Sequence, residues 1–197
     1  VGRIQLSKVL ISKSNMSLNK YIKTVGIIGD VYKIGPVHLS TSNGKTRTTG
    51  IEDDHFFHIH QVLRHLDHPG VIQSVRCGKT EDGRTYLLFP FVGGTPAQVF
   101  AKSLGTPGTP ARTTAVITVG IHLADALSYL HEHDVVHRDV KSANVMVRDD
   151  KSACLIDFGS AIMPGIPATP GRFVGTYTYA SPEQIQGHEV DGRTDIY

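Results

Sequence analysis

The period of the apolar pattern changes along the chain, and this change is the strongest constraint on the fold. Residues 21–50 mix Gly, Val, Ile and Thr at strand-like spacing, with an Asn-Gly turn signal at 43–44, and predict a short antiparallel sheet. Residues 85–92 predict another strand. Residues 53–68 and 113–133 instead repeat apolar positions at helical spacing. Strands precede helices, so the sequence predicts an α+β fold rather than repeating βαβ units.

Each predicted helix has an apolar face that should be buried. In the first helix this face consists of Phe56, Ile59, Leu63 and Leu66. In the second helix it consists of Ile117, Ile121, Ala124, Leu127 and Leu130. Further on, two apolar triplets at 145–147 and 154–156 flank a polar turn and predict a hairpin. Pro and Gly interrupt residues 163–171, which predicts a loop.

Composition excludes several classes of protein. Of the 197 residues, 40% are hydrophobic and 19% are charged, so the chain can bury a core and its bulk is not disordered. The net charge of +2 gives no reason to expect a nucleic-acid partner. The apolar runs are shorter than the about 18 residues of a membrane span, so no membrane partner is expected either.

The cysteines and the N-terminal residues bear on location. Cys77 and Cys154 lie far apart and form no C-x-x-C, which predicts a reducing compartment and a cytoplasmic protein. Residues 1–20 hold no apolar segment of the kind that a secretory signal needs, and we expect a basic, solvated leader there. Because the chain begins with Val1, we expect either a truncated product or part of a longer protein.

Three short polar motifs follow the second predicted helix in a fixed order. Residues 137–144 read His-Arg-Asp-Val-Lys-Ser-Ala-Asn, residues 157–159 read Asp-Phe-Gly, and residues 181–183 read Ser-Pro-Glu. This set resembles the signature of the protein kinase family, H-R-D-x-K-x-x-N, D-F-G and A-P-E. One triplet alone would be a weak signal, but three in order at kinase-like separations are highly specific.

The resemblance covers residues 21–197 and implies a protein kinase-like, two-lobed fold. The small β-rich N-lobe would span about 21–92, and the helical, incomplete C-lobe about 93–197. The implied activity is transfer of the γ-phosphate of ATP, with Mg²⁺ as cofactor, to Ser or Thr hydroxyls of protein substrates. Lys141 is the residue that serine/threonine kinases carry two positions after the catalytic Asp. The oligomeric state is left open.

The resemblance also assigns roles to single residues. Asp139 would orient the substrate hydroxyl or accept its proton, and Lys141 would reach the γ-phosphate as a point charge; with Asn144 these are the predicted catalytic residues. Asn144 and Asp157 would supply oxygen ligands to Mg²⁺. Phe158 would pack inward.

Further parts of the chain match the family. Residues 175–180, here named the docking loop, resemble the segment on which a kinase docks its substrate, and Thr176 should bond near Asp139. The spelling Ser-Pro-Glu-Gln and the residues at 191–197 are similar to bacterial kinases of the eukaryotic-like type. In that family Asp195 would brace the backbone of residues 137–144, here named the catalytic segment. Phe89 would be the gatekeeper residue, followed by the hinge.

The nucleotide site departs from the family pattern. The predicted nucleotide-binding residues are Gly26, Gly29, Val31, Lys45 and Met146. Thr24 replaces the first Gly of the Gly-rich loop, and Lys45 is the only lysine at about the right distance to replace the missing lysine of V-A-I-K. The partner glutamate is also missing, because its equivalent is Ile59.

These losses keep alternatives open. A pseudokinase, which would bind nucleotide or act as a scaffold without transfer, is the second interpretation. A small-molecule phosphotransferase ranks third, because such enzymes usually carry His-Gly-Asp rather than His-Arg-Asp. Glu183 would lack the arginine that the family supplies from a later segment, so we expect the chain alone to be a poor or unstable kinase.

The sequence also offers one candidate phosphorylation site and one candidate metal site. Arg138 before the catalytic Asp is typical of kinases controlled by loop phosphorylation, and Thr169 is the best candidate, although an unmodified loop fits the sequence as well. Five histidines fall in or beside the helix predicted over 53–68, and pairs three residues apart could bind Zn²⁺. No cysteine is near them, so zinc binding is the less favoured interpretation. The five are His55, His58, His60, His65 and His68.

Overall fold

The chain forms two compact units, each with its own sheet and helices. The described part of the first unit falls within Val1–Arg64 and Gln73–Phe91, and the second comprises His65–Ile72 and Val92–Tyr197. A sheet-rich unit and a helix-containing unit confirm the predicted α+β class. The computed structural model describes residues 23–26, 29–34, 37–42, 51–79, 85–165 and 173–197.

The first unit is built on a five-stranded antiparallel sheet with the strand order β1-β2-β3-β5-β4. The sheet predicted over 21–50 is therefore confirmed at the described residues 23–26, 29–34 and 37–42, whereas residues 43–50, with the Asn-Gly turn signal, lie outside them. The last strand ends at Pro90, two residues before the predicted end, and proline has no N–H with which to extend a ladder. The strands are β1 (Lys23–Gly26), β2 (Gly29–Ile34), β3 (Val37–Ser42), β4 (Arg76–Lys79) and β5 (Thr85–Pro90).

Helix α1 (Ile51–Leu63) closes the core of the first unit against β4 and β5. Its apolar face is buried as predicted at Phe56, Ile59 and Leu63, and Leu88 of β5 is equally buried. Ile59, where the family carries a glutamate, is 2% exposed, so this position contributes to the core and not to an ion pair. Burial of such side chains away from water is the main stabilising contribution to this unit.

Helix α1 ends five residues before the end predicted at His68. Its last turn closes with the amide N–H of Arg64 donating to the carbonyl of His60 (3.0 Å). Beyond it, the amide N–H of Asp67 donates to the phenol oxygen of Tyr129 (2.9 Å), a partner from another helix. The apolar spacing continues to Leu66 but the helix does not, and the N–H of Asp67 is satisfied by a distant side chain instead of a helical carbonyl.

The second unit contains a three-stranded antiparallel sheet with the order β6-β7-β8, in which β7 and β8 form the predicted hairpin. A short helix at Ala97–Ser103 was not predicted from the sequence. The long helix begins at Pro110, three residues earlier than predicted, with proline in the first turn, where its missing N–H costs nothing. The elements are β6 (Thr95–Pro96), α2 (Ala97–Ser103), α3 (Pro110–Glu132), β7 (Val145–Val147), β8 (Ala153–Leu155), α4 (Pro182–Gln186) and 3₁₀ turns at Tyr177–Tyr179 and Gly192–Asp195.

The predicted buried face of α3 is only half correct. Leu127 and Leu130 are buried, together with Ala126, and the helix packs against β8. Ile117 and Ile121 are 56% and 63% exposed, contrary to the prediction, and Ala124 is exposed as well. In the described part of the chain, the buried residues of α3 all lie in its C-terminal half. Apolar periodicity identifies a face but not how much of it finds a partner.

Helix α3 is also long and apolar enough, by length and composition alone, to cross a membrane. The expectation that all apolar segments are too short is therefore wrong for this helix. Core helices of soluble proteins pass the same test, so the property assigns no membrane partner.

Candidate active site

The catalytic segment at 137–144 connects α3 to β7 and is fixed at both ends by backbone bonds. Before it, Val136 exchanges two hydrogen bonds with Ile162 (2.8 and 3.0 Å). At its end, the amide N–H of Ile156 donates to the carbonyl of Asn144 (2.9 Å), just beyond the β7–β8 ladder. Asp157 follows Ile156 directly, so the hairpin brings the Asp-Phe-Gly motif beside the end of the catalytic segment.

His137 is fully buried and both of its ring nitrogens are used. Nε2–H donates to the carbonyl of Ile156 (3.1 Å), and Nδ1 accepts the amide N–H of Asp139 (3.3 Å). Burial lowers the pKa of His137, although the Asp195 carboxylate acts in the opposite direction. Phe158 packs edge-on against this ring with centroids 4.8 Å apart and is 1% exposed, so it points inward as predicted.

Asp195 braces the catalytic segment, as the resemblance implied. Its carboxylate accepts the amide N–H groups of His137 (2.8 Å) and Arg138 (2.7 Å) and lies 2.9 Å from Nε2 of His131. Arg138 has a φ of 63°, in the left-handed region that non-glycine residues seldom adopt. Its guanidinium Nε donates to the carbonyl of Ser160 (2.6 Å). The bonds to Asp195 offset the strain at Arg138 and fix the backbone N–H groups of the two residues before Asp139.

The Asp139 carboxylate is the centre of a buried polar network. Oδ2 accepts from Lys141 Nζ (2.6 Å) and Asn144 Nδ2 (3.1 Å), and Oδ1 accepts from the Thr176 hydroxyl (2.7 Å). Lys141 Nζ also donates to Thr176 Oγ1 (2.9 Å), which confirms the predicted position of Thr176. The three predicted catalytic residues therefore lie together, and a loop 37 residues away along the chain completes their contacts.

The predicted magnesium ligands offer the oxygen atoms that this hard cation prefers. Asn144 Nδ2 donates to the backbone and side-chain oxygens of Asp139, which leaves its Oδ1 as the acceptor atom. Asp157 is exposed, with a φ of 65°, and one carboxylate oxygen accepts the amide N–H of Gly159 (3.4 Å). An amide oxygen and an exposed carboxylate on one side of the hairpin fit Mg²⁺, which takes few protein ligands.

The docking loop presents aromatic side chains next to Thr176. Phe173 stacks on Tyr177 with ring centroids 4.0 Å apart. Tyr177 and Tyr179 are 68% and 49% exposed, and the Tyr179 hydroxyl lies 3.4 Å from the hydroxyl of Ser142 in the catalytic segment. The loop is thus in contact with the catalytic segment while its rings remain open to solvent.

Glu183, which was expected to lack the arginine of the family, has a hydroxyl partner in the structure. Its carboxylate accepts the Thr194 hydroxyl (2.6 Å), and this bond is the main reason that the pKa of Glu183 is lowered. Ser181 in turn donates to Thr194 (3.4 Å) and caps helix α4. The predicted cost of a buried unpaired charge therefore does not arise, because Glu183 is half-buried and hydrogen-bonded.

Gln184 is a site residue that sequence reasoning missed. Its side-chain amide bonds to the carbonyls of Arg138 (2.8 Å) and Val174 (2.9 Å). The sequence signal for it is the Gln that follows Ser-Pro-Glu, which indicates the resemblance to bacterial kinases but does not indicate a contact.

The predicted nucleotide-binding residues fall in both units. Gly26 and Gly29 pair at the end of the β1–β2 hairpin, and Val31 lies opposite Ser40 of β3. Met146 is half-buried on β7 in the second unit. Lys45 lies outside the described residues, three positions beyond the end of β3.

Strand β3 itself reads Val-His-Leu-Ser-Thr-Ser and contains no lysine, so the family's V-A-I-K lysine has no counterpart in it. Thr169, the predicted phosphorylation site, also lies outside the described residues.

Two of the five histidines contact polar side chains in the structure. Across the described ranges no group of three or more His, Cys, Asp or Glu side chains could hold a metal ion. His60 Nδ1 lies 2.9 Å from the Ser74 hydroxyl, and His68 Nε2 lies 3.1 Å from an Asp125 carboxylate oxygen. Both rings are therefore engaged in ordinary structural contacts.

Comparison with known proteins agrees with this geometry. The chain is 40% identical over 119 residues to the serine/threonine-protein kinase PknD of Mycobacterium tuberculosis (strain CDC 1551 / Oshkosh), covering 59% of the chain and 17% of PknD. It is 37% identical over 141 residues to PknF of M. tuberculosis (strain ATCC 25177 / H37Ra), covering 67% of the chain and 29% of PknF. The serine/threonine-protein kinase PknH of Mycobacterium bovis (strain ATCC BAA-935 / AF2122/97) is 37% identical over 139 residues, covering 70% of the chain and 22% of PknH.

The chain thus spans less than a third of the length of each of these curated relatives. The family model of the protein kinase domain matches residues 40–197, which include the whole network around Asp139. The chain therefore belongs to the protein kinase domain family.

Proposed function

We propose that this chain is the catalytic part of a serine/threonine protein kinase that transfers the γ-phosphate of Mg-ATP to protein hydroxyls. The observation that carries the proposal is the network in which Asp139 accepts bonds from Lys141, Asn144 and Thr176. Phosphoryl transfer needs little covalent chemistry from the protein, so a catalytic site consists mainly of groups held in position. This network holds a carboxylate and a cation 2.6 Å apart in a nearly dry environment.

In the proposed reaction the oxygen of a substrate hydroxyl forms a bond to the γ-phosphorus, and the bond to the bridging oxygen of ADP breaks. The hydroxyl proton passes to Asp139, while Lys141 stabilises the charge on the transferring group. Thr176 fixes Oδ1 of Asp139 and so limits the rotation of the carboxylate. Asn144 and Asp157 would hold Mg²⁺, which neutralises charge on the phosphates.

The acceptor class follows from Lys141 and from the relatives. Lys141 occupies the position at which serine/threonine kinases carry lysine, and the three relatives described above are all named serine/threonine-protein kinases. We propose Ser or Thr in a protein as the acceptor on these grounds.

We further propose that Gly26, Gly29, Val31 and Met146 contact the nucleotide, with Lys45 as a substitute cation. Cys77 and Cys154 lie far apart in the sequence and form no C-x-x-C, which supports the proposal that the chain acts in the reducing cytoplasm. The small net charge supports a protein substrate rather than a nucleic acid.

The test is transfer of labelled phosphate from γ-labelled ATP with Mg²⁺, to the chain itself and to a generic basic protein. Asp139→Asn is the matched control, since it keeps the size of the side chain and removes the base. We expect incorporation on Ser or Thr that falls at least about 100-fold in the control. Circular dichroism must show both proteins folded. If the folded wild-type chain incorporates nothing, the enzyme proposal fails and a pseudokinase scaffold replaces it.

A further inference from the structure

Gln184 ends the Ser-Pro-Glu-Gln spelling, to which the sequence assigned no contact, and its side chain bonds the catalytic segment and the residue just before the docking loop. We infer that Gln184 is a positioning residue that holds Asp139 and Thr176 in register. The inference rests on the proposed kinase function, because it concerns the geometry of the same site. It is carried by the contacts of one buried side chain.

The amide of Gln184 is 6% exposed and makes three side-chain hydrogen bonds. Nε2 donates to the carbonyl of Arg138 (2.8 Å) and to the carbonyl of Val174 (2.9 Å). Oε1 accepts the amide N–H of Ser181 (3.0 Å). One side chain therefore ties together the catalytic segment, the chain just before the docking loop and the start of helix α4. The carbonyls of Arg138 and Val174 belong to residues 46 and 10 positions from Gln184 along the sequence.

In the catalytic segment, Gln184 completes the backbone hydrogen bonding of Arg138, a residue with a strained φ. The N–H of Arg138 is held by Asp195 (2.7 Å), and its carbonyl is held by Gln184. With a φ of 63°, Arg138 occupies the left-handed backbone conformation, which is unfavourable for a residue with a Cβ. The residue after this peptide is Asp139. Loss of the Gln184 bond would release the carbonyl that leads into Asp139 while leaving the bond to Asp195 intact.

On the other side, Gln184 holds the approach of the docking loop. Val174 lies two residues before Thr176, whose hydroxyl bonds Asp139. Gly175 between them has a φ of 126°, and a Cβ there would come within 2.7 Å of the Arg138 carbonyl and 3.1 Å of Gln184 Nε2. The two segments therefore meet closely at the point where Gln184 bridges them.

The bridge needs an uncharged amide. Two carbonyls require two donors, and the N–H of Ser181 requires an acceptor; a glutamine side chain supplies both from one end group. A carboxylate would keep the acceptor but place a negative charge against two carbonyl oxygens. Gln184→Glu is thus the sharpest substitution, because it changes donors into acceptors at nearly constant volume. Gln186→Glu is the matched control, since Gln186 lies on the same helix and is exposed.

The first measurement is steady-state transfer by the wild-type chain and both variants. We expect Gln184→Glu to lower kcat about 10- to 100-fold with little change in KM for ATP, because the reacting groups are misplaced and the nucleotide contacts are not. Gln186→Glu should behave like the wild type. Equal kcat for all three proteins would overturn the inference.

The pH profile separates positioning from loss of stability. A protonated carboxyl regains one donor, so the kcat of Gln184→Glu should recover as pH falls, unlike that of the wild type or of Gln186→Glu. The negative charge of the adjacent Glu183 favours protonation of the introduced group. Gln184→Met, which is neutral and cannot form the bonds, should lose kcat without recovery. If Gln184→Glu does not fold, Gln184→Met provides the comparison, and an unchanged kcat in it would contradict the inference.

A second measurement does not need activity. Hydrogen exchange should rise in peptides that cover 136–141 and 173–180 in Gln184→Glu and Gln184→Met, but not in Gln186→Glu. Unchanged exchange in these peptides overturns the inference even if the wild-type chain proves inactive. Absence of transfer by all proteins, together with raised exchange in both Gln184 variants, would instead refute the kinase proposal and retain Gln184 as the link between the two segments.

Discussion

The Thr176 hydroxyl donates to Oδ1 of Asp139 at 2.7 Å and accepts a bond from Lys141 Nζ at 2.9 Å. One hydroxyl of the docking loop therefore contacts both charged groups of the catalytic network. Because a hydroxyl is donor and acceptor at once, it can satisfy a carboxylate and an ammonium group together. Asp139 is therefore held in this orientation only when the docking loop is structurally ordered.

We expect Thr176→Val to lower kcat about 10- to 100-fold, because the nearly isosteric side chain keeps the packing but leaves Oδ1 of Asp139 unbonded. Thr176→Ser keeps the hydroxyl and should retain most of the activity. The measurement is kcat and KM for ATP and for a protein substrate in both variants. Full activity of Thr176→Val would contradict the role of the hydroxyl, and equal losses in the two variants would show that packing of the methyl group matters as much as the hydroxyl.

Gly175→Ala should destabilise the fold by about 1–3 kcal/mol, since its φ of 126° strains any side chain and the new Cβ would meet the Arg138 carbonyl. Gly105→Ala is the control: Gly105 also has a positive φ, of 71°, but nothing lies within 4 Å of the added Cβ. Its cost should stay near about 1 kcal/mol. Urea unfolding of both variants measures the difference. A Gly175→Ala cost no larger than that of Gly105→Ala would mean that the loop can move away from Arg138.

The sequence predicted the contacts around Asp139 better than it predicted the role of Gln184. The resemblance singled out Asp139, Lys141 and Asp157, and it also implied the contacts of Thr176 and Asp195 that the structure shows. Gln184 was missed because its partners are backbone carbonyls distant along the chain, and backbone groups carry no sequence signal. A contact that neither a local pattern nor a family resemblance implies can be found only in the structure.

The same limit explains the errors in the helices. The periodicity of α3 correctly indicated an apolar face, but the exposure of Ile117 and Ile121 depends on what packs opposite them. Likewise α1 ends earlier than the apolar spacing predicts, and just beyond it Tyr129, more than sixty residues away, accepts the amide N–H of Asp67. Periodicity describes a single segment, whereas the exposure of the α3 face and the contacts beyond α1 involve a second segment.

Stability should fall below about pH 6.5 because of His137. Burial lowers the pKa of this ring in the folded chain, so between the folded and unfolded pKa values the unfolded chain binds a proton that the folded chain does not. The free energy of unfolding is thus unaffected by this group above about pH 6.5 and decreases as the pH falls, by up to about 1.4 kcal/mol per pH unit. Urea unfolding at several pH values measures the slope.

His137→Gln should flatten this slope whatever its effect on absolute stability, because glutamine does not titrate. His188→Asn serves as the control, since His188 is exposed, and it should keep the wild-type slope. A slope that is the same in His137→Gln and in the wild type would assign the acid sensitivity to other groups.

Ser40→Lys should strengthen ATP binding. Residues 37–40 of β3 read Val-His-Leu-Ser, so Ser40 stands fourth in the strand, where V-A-I-K has its lysine, and it pairs with Val31 of β2. A lysine that bonds a phosphate contributes a charge-assisted hydrogen bond worth about 1.5–3 kcal/mol, so the dissociation constant for Mg-ATP should fall about 10- to 100-fold.

Thr41→Lys is the matched control for this last change, because successive residues of a strand face opposite sides of the sheet. It adds the same charge one position further and should leave the ATP affinity unchanged. Isothermal titration of wild type, Ser40→Lys and Thr41→Lys with Mg-ATP decides between them. If Ser40→Lys does not tighten binding but Lys45→Met weakens it, then Lys45 already supplies the cation that β3 lacks. If neither substitution changes the affinity, the nucleotide is bound without a lysine from this part of the chain.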